Sequence, residues 1–305
     1  MKSLEYIKRC NYSLAFITES LDDIIAGKPI HWRKVIDPLY KERWLADPFI
    51  LDATSTEISV MAEEVRYDTQ KGRIVLLTIR RETMDIRDWA VLLEEKWHLS
   101  FPNYFRKDGR VFVYPESAGS GKLYLYELVY VDGKPKLKKC ETLCDSVIWD
   151  TDINDLCGDD LMFTSSKDDY SLDIFEKEQK SGLFVYRQSV QSEQQNMRLA
   201  GAMFKYRDKV YCPFQVSTPC RYGVAVEIKE VHPEKDIWIF KHVRTINHPQ
   251  GWKSDGLHTF NTYQGLSVID LHATNTYMGA LIRDLVTWRK TIKQKVNSLK
   301  KSVSK

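Results

Sequence analysis

The chain has 305 residues, 43% of them hydrophobic and 12% aromatic, enough apolar surface for a sizeable core, which excludes a disordered class. Its formal charge of +3 is uneven: residues 289–305 carry seven Lys/Arg and no acid, leaving the body slightly acidic. A body of that sign argues against nucleic acid as a partner, whose binding face should be lined by basic side chains. Residues 1–10 lack the apolar core of a signal peptide, and no stretch is apolar for long enough to span a bilayer. The expectation is a cytoplasmic protein. The six cysteines show no CxxC or zinc spacing, so reduced thiols, no metal and no cofactor are expected.

Residues 1–40 form an N-terminal segment with one plausible strand at 12–18 and a short helical or loop piece at 21–25. A phrase then recurs five times: an apolar or Trp-bearing approach, a polar residue, a β-run, a turn and a second β-run. Its copies cover residues 44–63, 97–116, 147–164, 198–215 and 258–270. A spacing of about fifty residues, with further alternating runs such as 73–79 and 122–127 between copies, predicts five four-stranded blades around a channel. The predicted fold is therefore an all-β, five-bladed β-propeller over residues 1–277, with residues 1–40 contributing ring closure. After Tyr277, Leu281, Leu285, Trp288, Ile292, Val296, Leu299 and Val303 recur at steps of three and four. They predict a basic amphipathic C-terminal helix over 278–305 that lies on an anionic membrane or packs on protein.

The innermost strand of every blade starts at one end of the channel, so the polar residues that open the copies should converge there. They are Asp47, Ser100, Asp150 with Asp152, Arg198 and His258. Asp-Pro is also a turn former, so Asp47 can instead cap loop amides. His98 and His258 stand at matching openings of copies two and five and suit hydrogen bonding to sugar hydroxyls. Glu116 ends the second strand of its copy as Glu63 does of the first; both either face the channel or satisfy amides of the next blade. Arg198 offers a fork for an anionic group, or an ion pair with Asp47 or Asp150. Gln215 and Tyr222 are of the types that bind sugars. Trp44, Trp97 and Trp149 precede openings, where they stack on sugar rings or wedge blades apart. No GxSxG, Walker, GxGxxG or HExxH motif is present.

Several phrases together resemble one family: 46–50 with the acid pair Glu63-Glu64 and 71–74; 98–102 with 115–117; Asp150-Thr151 with Phe163-Thr164; Gln215 with 221–223; and 258–261. It is the propeller domain at the N-terminus of plant glucosamine inositolphosphorylceramide transferases, also found in bacterial proteins, and similar in fold to the five-bladed glycosidases of family 43. The resemblance implies a carboxylate site in which Asp47 matches the base and Asp150 the orienting acid. The acid expected on blade four falls at Ala200 or its neighbours, which departs from the pattern. Glu116 is the remaining candidate acid. The leading expectation is a glycosidase-like or glycosyl-transfer-associated protein acting on a saccharide or activated sugar in cell-surface polysaccharide or glycolipid assembly. The alternatives are a non-catalytic module that presents a saccharide to a partner enzyme, and a purely structural interaction propeller.

Overall fold

The structure, a computed structural model, describes residues 10–158, 160–166, 171–191, 196–218, 221–234 and 237–274. Strand β1 (Cys10–Ile17), helix α1 (Leu21–Ile25) and strand β2 (Trp32–Lys34) open the described chain. Blade one follows as β3 (Arg43–Ala53), β4 (Glu57–Arg66), β5 (Gly72–Arg80) and β6 (Ile86–Leu93). Blade two is β7 (Ser100–Lys107), β8 (Arg110–Glu116), β9 (Leu123–Val131) and β10 (Lys134–Cys144). Blade three is β11 (Trp149–Ile153), β12 (Leu161–Ser165), β13 (Ser171–Lys177) and β14 (Phe184–Gln191). Blade four is β15 (Arg198–Leu199), β16 (Phe204–Tyr206), β17 (Lys209–Thr218), β18 (Arg221–Glu234) and β19 (Ile237–Asn247). The last strands are β20 (Phe260–Tyr263) and β21 (Leu266–Thr274).

Five separate antiparallel sheets result, and the protein is an all-β, five-bladed propeller. The fifth sheet runs β2-β1-β21-β20, so the N-terminal strands complete the blade begun at the other end of the chain. Eight residue pairs, Cys10 against Thr274 through Ile17 against Ser267, make that seam. Tight turns set the hairpins: both residues of Asp108-Gly109 and of Asp132-Gly133 have positive φ, the twist that two-residue hairpins require. Packing between blades supplies the core. Leu14, Phe16 and Val268 of blade five, for example, meet Leu45, Ile50, Val60 and Ala62 of blade one. The expected C-terminal helix, and any membrane contact through it, lies outside the described residues.

A girdle of polar side chains at the inner strands ties neighbouring blades together. Asn103 on β7 donates to the Thr151 carbonyl at 3.1 Å and to Asp152 Oδ1 at 2.9 Å. Asp152 in turn accepts the Met203 N–H at 3.0 Å, and Asn261 accepts the Ala202 N–H at 2.9 Å while donating to the Pro48 carbonyl at 2.9 Å. Asp152, grouped with Asp150 in the sequence, is thus spent on joining blade three to blade four. Strand alternation separates the two: neighbours at i and i+2 share a face only while the strand stays regular, and β11 slips register between Trp149 and Thr151.

Candidate functional site

Three inner strands carry the same irregularity. Where β3, β7 and β11 slip against β4, β8 and β12, Asp47, Phe101 and Asp150 lie in the left-handed region at φ 47, 45 and 39. Such backbone costs about 1 kcal/mol or more per residue outside glycine and needs surroundings that hold it. The register explains the holding. Ala46 faces Glu63, Ser100 faces Glu116, Trp149 faces Ser165 and Arg198 faces Gln215; Asp270 sits one step beyond the Phe260–Ile269 pair. The second strands therefore present Glu63, Glu116, Ser165, Gln215 and Asp270 at one level. From that level Asp270 accepts the Asp47 N–H at 3.0 Å, Glu116 Oε2 the Asp150 N–H at 3.2 Å, and Ser165 Oγ the Leu199 N–H at 2.9 Å. Each bond crosses from one blade to the next.

The junction between blades one and two differs. There Asp47 Oδ2 itself accepts the Phe101 N–H at 3.1 Å, and Glu63 turns instead to His98 Nε2 at 2.7 Å. His98 Nδ1 accepts the Gly72 N–H at 3.0 Å, which leaves the ring proton on Nε2, facing Glu63. The hydrogen bond to Glu63 raises the basicity of His98. Protonating Nδ1 would nevertheless set two N–H groups face to face, so the neutral Nε2–H tautomer fits this geometry. Gly72 permits the arrangement: a Cβ there would press on the Leu99 carbonyl and come within 2.7 Å of His98 Nε2 and 2.8 Å of Glu63 Oε1.

His258 is the other centre of the site. Its Nδ1 donates to Asp270 Oδ2 at 2.6 Å, and its Nε2 points toward Asp47 Oδ1 at 3.7 Å. Asp270 also accepts the N–H groups of His258 and Thr259, at 3.1 and 3.0 Å. Burial would favour its neutral form, but the His258 charge and these donors hold its carboxyl below the usual range. Burial likewise works against charge on His258, yet Asp270, Asp47 and Glu63 overcome it and raise His258 to about 9. Asp47 is pushed well above the ordinary carboxylate value by burial, with Glu63, Asp270 and Asp150 adding repulsion against the opposing pull of His258. Asp47, His258 and Asp270 bring ligand atoms within 4.8 Å of one another. Asp270, however, already accepts three backbone N–H groups and one imidazole, a donor set spent on protein hydrogen bonds rather than open to a cation.

Glu116 and Asp150 form the third part. Asp150 Oδ2 meets Arg198 Nε at 2.8 Å, the ion pair foreseen as one alternative for Arg198. The Arg198 guanidinium also lies 5.5 Å from the Tyr222 ring centroid. Burial and the neighbouring Asp150 raise Glu116 to about 8, against the Asp150 N–H and Arg198. With Oε2 accepting the Asp150 amide, Oε1 is the oxygen left to carry a proton.

Asp47, Glu63, His98, Glu116, Asp150, Arg198 and His258 line one cavity of about 230 Å3 at the mouth of the channel, with Asp270 behind it. Of the residues singled out in the sequence, Trp44, Asp47, His98, Glu116, Asp150, Arg198, Gln215, Tyr222 and His258 all border it. Trp97 and Trp149 do not. Trp97 packs on Tyr124, ring centroids 6.2 Å apart, with Lys139 above it, and so serves the body of blade two. Trp149 sits on β11 with its carbonyl accepting Thr164 Oγ1 at 2.6 Å. His98 and His258 are not register equivalents either: the first lies two residues before Ser100, the second one before the position opposite Asp270. Ala200, where the resemblance places a blade-four acid, is a fully buried core residue whose N–H donates to the Pro213 carbonyl at 2.9 Å. Among the described residues, blade four contributes Arg198, Leu199, Gln215 and Tyr222, and no carboxylate, to the lining.

Two important side chains escaped the sequence reading. Asp270 is one, although its level with Glu63 and Glu116 was a usable signal. Tyr12 is the other: it stacks on His258 with centroids 4.7 Å apart and tilts against Trp44 at 5.1 Å. It comes from the third strand of blade five, where a search of blade openings does not look.

A curated plant protein, glucosamine inositolphosphorylceramide transferase 1 of Arabidopsis thaliana, is 32% identical over 108 residues, which is 34% of this chain and only 14% of the plant protein. Among solved structures, a family 43 β-xylosidase/α-arabinofuranosidase from a compost metagenome, solved with xylotriose in a calcium-free form, is 12% identical with a TM-score of 0.49. The match covers 73% of this chain and 83% of that one. A hypothetical protein from Leishmania major is 8% identical with a TM-score of 0.40, over 80% of this chain and 90% of the other. The family described as glucosamine inositolphosphorylceramide transferase 1, N-terminal, matches residues 25–272, and the chain belongs to it.

Proposed function

We propose that the channel mouth binds one sugar residue and acts on it through its carboxyl groups, making the chain a carbohydrate-active propeller. The observation that carries this reading is the meeting of Asp47, Glu63, Glu116 and Asp150 with His98, Arg198 and His258 around one cavity. Structural carboxylates normally pair off; here two are held above their ordinary range within one cleft. Glu116, protonated at neutral pH on Oε1, is placed to give its proton to a departing glycosidic oxygen. Asp47, whose carboxylate form the neighbouring His258 charge favours, is the candidate to take a proton from the incoming hydroxyl. Asp150 is fixed by Arg198 and orients from the side, and Trp44 with Tyr12 offers an aromatic wall for the sugar's apolar face. These roles serve hydrolysis and glycosyl transfer alike. The names of the plant relative and of the compost enzyme both concern carbohydrates, which fits the reading. A cytoplasmic chain, peripheral at the inner membrane and serving polysaccharide or glycolipid assembly, belongs to the same proposal and rests on the sequence.

The runner-up, a binding module without turnover, is favoured by one observation: among the described residues, blade four supplies no carboxylate to the mouth. One experiment separates the two. The chain is incubated with a panel of glycosides and nucleotide sugars, and binding and product are measured for wild type and Glu116→Gln. An enzyme loses turnover by roughly 10²- to 10⁴-fold in the variant while still binding. Binding with no wild-type turnover assigns the module; no binding to any saccharide defeats both readings.

A further inference from the structure

The seam that closes the ring carries a groove of about 550 Å3. Leu14 on β1, Ala273 on β21, Leu45 on β3 and Val35 just after β2 line it, together with Ile36 and Tyr40. These last two side chains are 58% and 62% exposed, yet the backbone beneath them is fixed. The Ile36 N–H donates to the Met84 carbonyl at 2.8 Å, and its carbonyl accepts the Ile86 N–H at 3.0 Å. The Tyr40 carbonyl accepts the Tyr67 hydroxyl at 3.3 Å. Neighbouring apolar side chains held in solvent on such backbone mark a docking surface.

The polar groups of the groove are of two kinds. Arg43 is committed to Asp37 at 2.9 Å and to Glu64 at 2.6 Å, and Asn11 accepts the Tyr67 hydroxyl at 3.0 Å. Lys34 and Lys253, by contrast, are exposed and make its edge positive, while Ser13 adds one hydroxyl. A matching cover is apolar along one face and carries an acid beside it.

The sequence supplies such a cover within a few residues. The described chain ends at Thr274, next to Ala273 in the wall of the groove. Residues 275–288 hold Tyr277, Met278, Leu281, Ile282, Leu285, Val286 and Trp288, with Arg283 and Asp284 their only charges. Leu281, Leu285 and Trp288 have the i, i+4, i+7 spacing by which a helix anchors in a groove. Asp284, three residues after Leu281 and four before Trp288, flanks that stripe. The seven steps from Thr274 to Leu281 reach up to about 25 Å, ample to turn back onto the seam.

We infer that residues 277–288 dock in this groove as an amphipathic helix. Leu281, Leu285 and Trp288 lie against its walls, and Asp284 faces the edge formed by Lys34 and Lys253. The tail thereby clasps the closing seam and leaves the basic residues from Arg289 onward outside the groove.

The test places the photoreactive residue benzoylphenylalanine at position 40 of the full chain. An equal mixture of isotopically light and heavy protein is irradiated, and crosslinks are mapped by mass spectrometry. Crosslinks from position 40 to residues 277–288 within one chain are expected. Leu285→Asp should lower their yield roughly tenfold or more, and Lys290→Ala, off the stripe, should leave it unchanged. The same probe in place of Tyr186, exposed on blade three, should not capture the segment. Crosslinks joining light to heavy chains would give the groove to a second copy, and crosslinks to residues 1–9 would give it to the N-terminal segment. Either result overturns the inference. So do equal capture from positions 40 and 186, a yield indifferent to Leu285→Asp, and no capture of the segment at all.

Discussion

Glu116 answers two demands at once: Oε2 accepts the Asp150 N–H from the next blade, and the rest of the carboxyl is crowded by Asp150. Its value of about 8 lies above its ordinary 4.5, so folding favours the protonated form. The stability this brings is complete at low pH and is lost as pH rises through about 8. His258, raised from 6.5 to about 9, contributes in the same sense, its share lost as pH climbs through about 9. The thermal midpoint is therefore expected to fall between about pH 5 and 9, and Glu116→Gln should flatten the lower part of that slope in calorimetric scans; an unchanged slope would assign the proton elsewhere. A second expectation concerns the Asp270–His258 pair. Asp270→Asn keeps an acceptor for the backbone amides but removes the charge, so the His258 titration followed by NMR should drop from about 9 to near or below 6.5. Residues of this kind were only partly legible beforehand. Asp47, Asp150 and His258 could be read because they open repeated strands. Tyr12 could not, because it arrives from a third strand; Asp270 went unread although it stands level with Glu63 and Glu116 on a second strand. The tryptophans misled because they stand at different distances from their bulges, and each bulge exchanges the two faces of a strand.

Blade one shows how an element is specified. Its β3 and β4 bury Arg43 and Glu64 almost completely, joined at 2.6 Å, with Arg73 on the other Glu64 oxygen at 2.5 Å and Trp89 lying 4.9 Å from the Arg43 guanidinium. Removing one partner from such a network strands the remaining charge, so Arg43→Met should destabilise the chain by about 3 kcal/mol in urea titrations. Arg73 still covers Glu64, which sets the cost at the lower end. Gly72, at the head of β5, makes a different claim on the same blade. Gly72→Ala is expected to cost about 1–3 kcal/mol by overpacking and to release the His98–Glu63 contact. An Ala variant of wild-type stability would show that the Leu99 segment yields. The strands of this blade were readable from their alternation; the buried ion pair was not, since charged residues in a strand are ordinarily placed facing solvent.

At the scale of the molecule, the ring transmits damage. The number of blades was legible because five turn-bounded hairpins repeat at regular spacing, and closure by the first strand followed from the shortness of the fifth copy. Strand β1 now carries the closing seam, with Leu14 buried against blade one. Leu14→Ala should lower stability by about 2–5 kcal/mol and shift one cooperative transition rather than detach a blade; two separated transitions in calorimetry would show that the blades melt independently. The seam also sets an order of events during synthesis. The earliest described strand to leave the ribosome pairs with β2 soon after, but its other edge stays open until β21, some 250 residues later, has been made. Tyr12 travels on that waiting strand, so the wall beside His258 is erected last. A nascent chain holding the first four blades would lack it, and the mouth becomes competent only once the whole ring has closed.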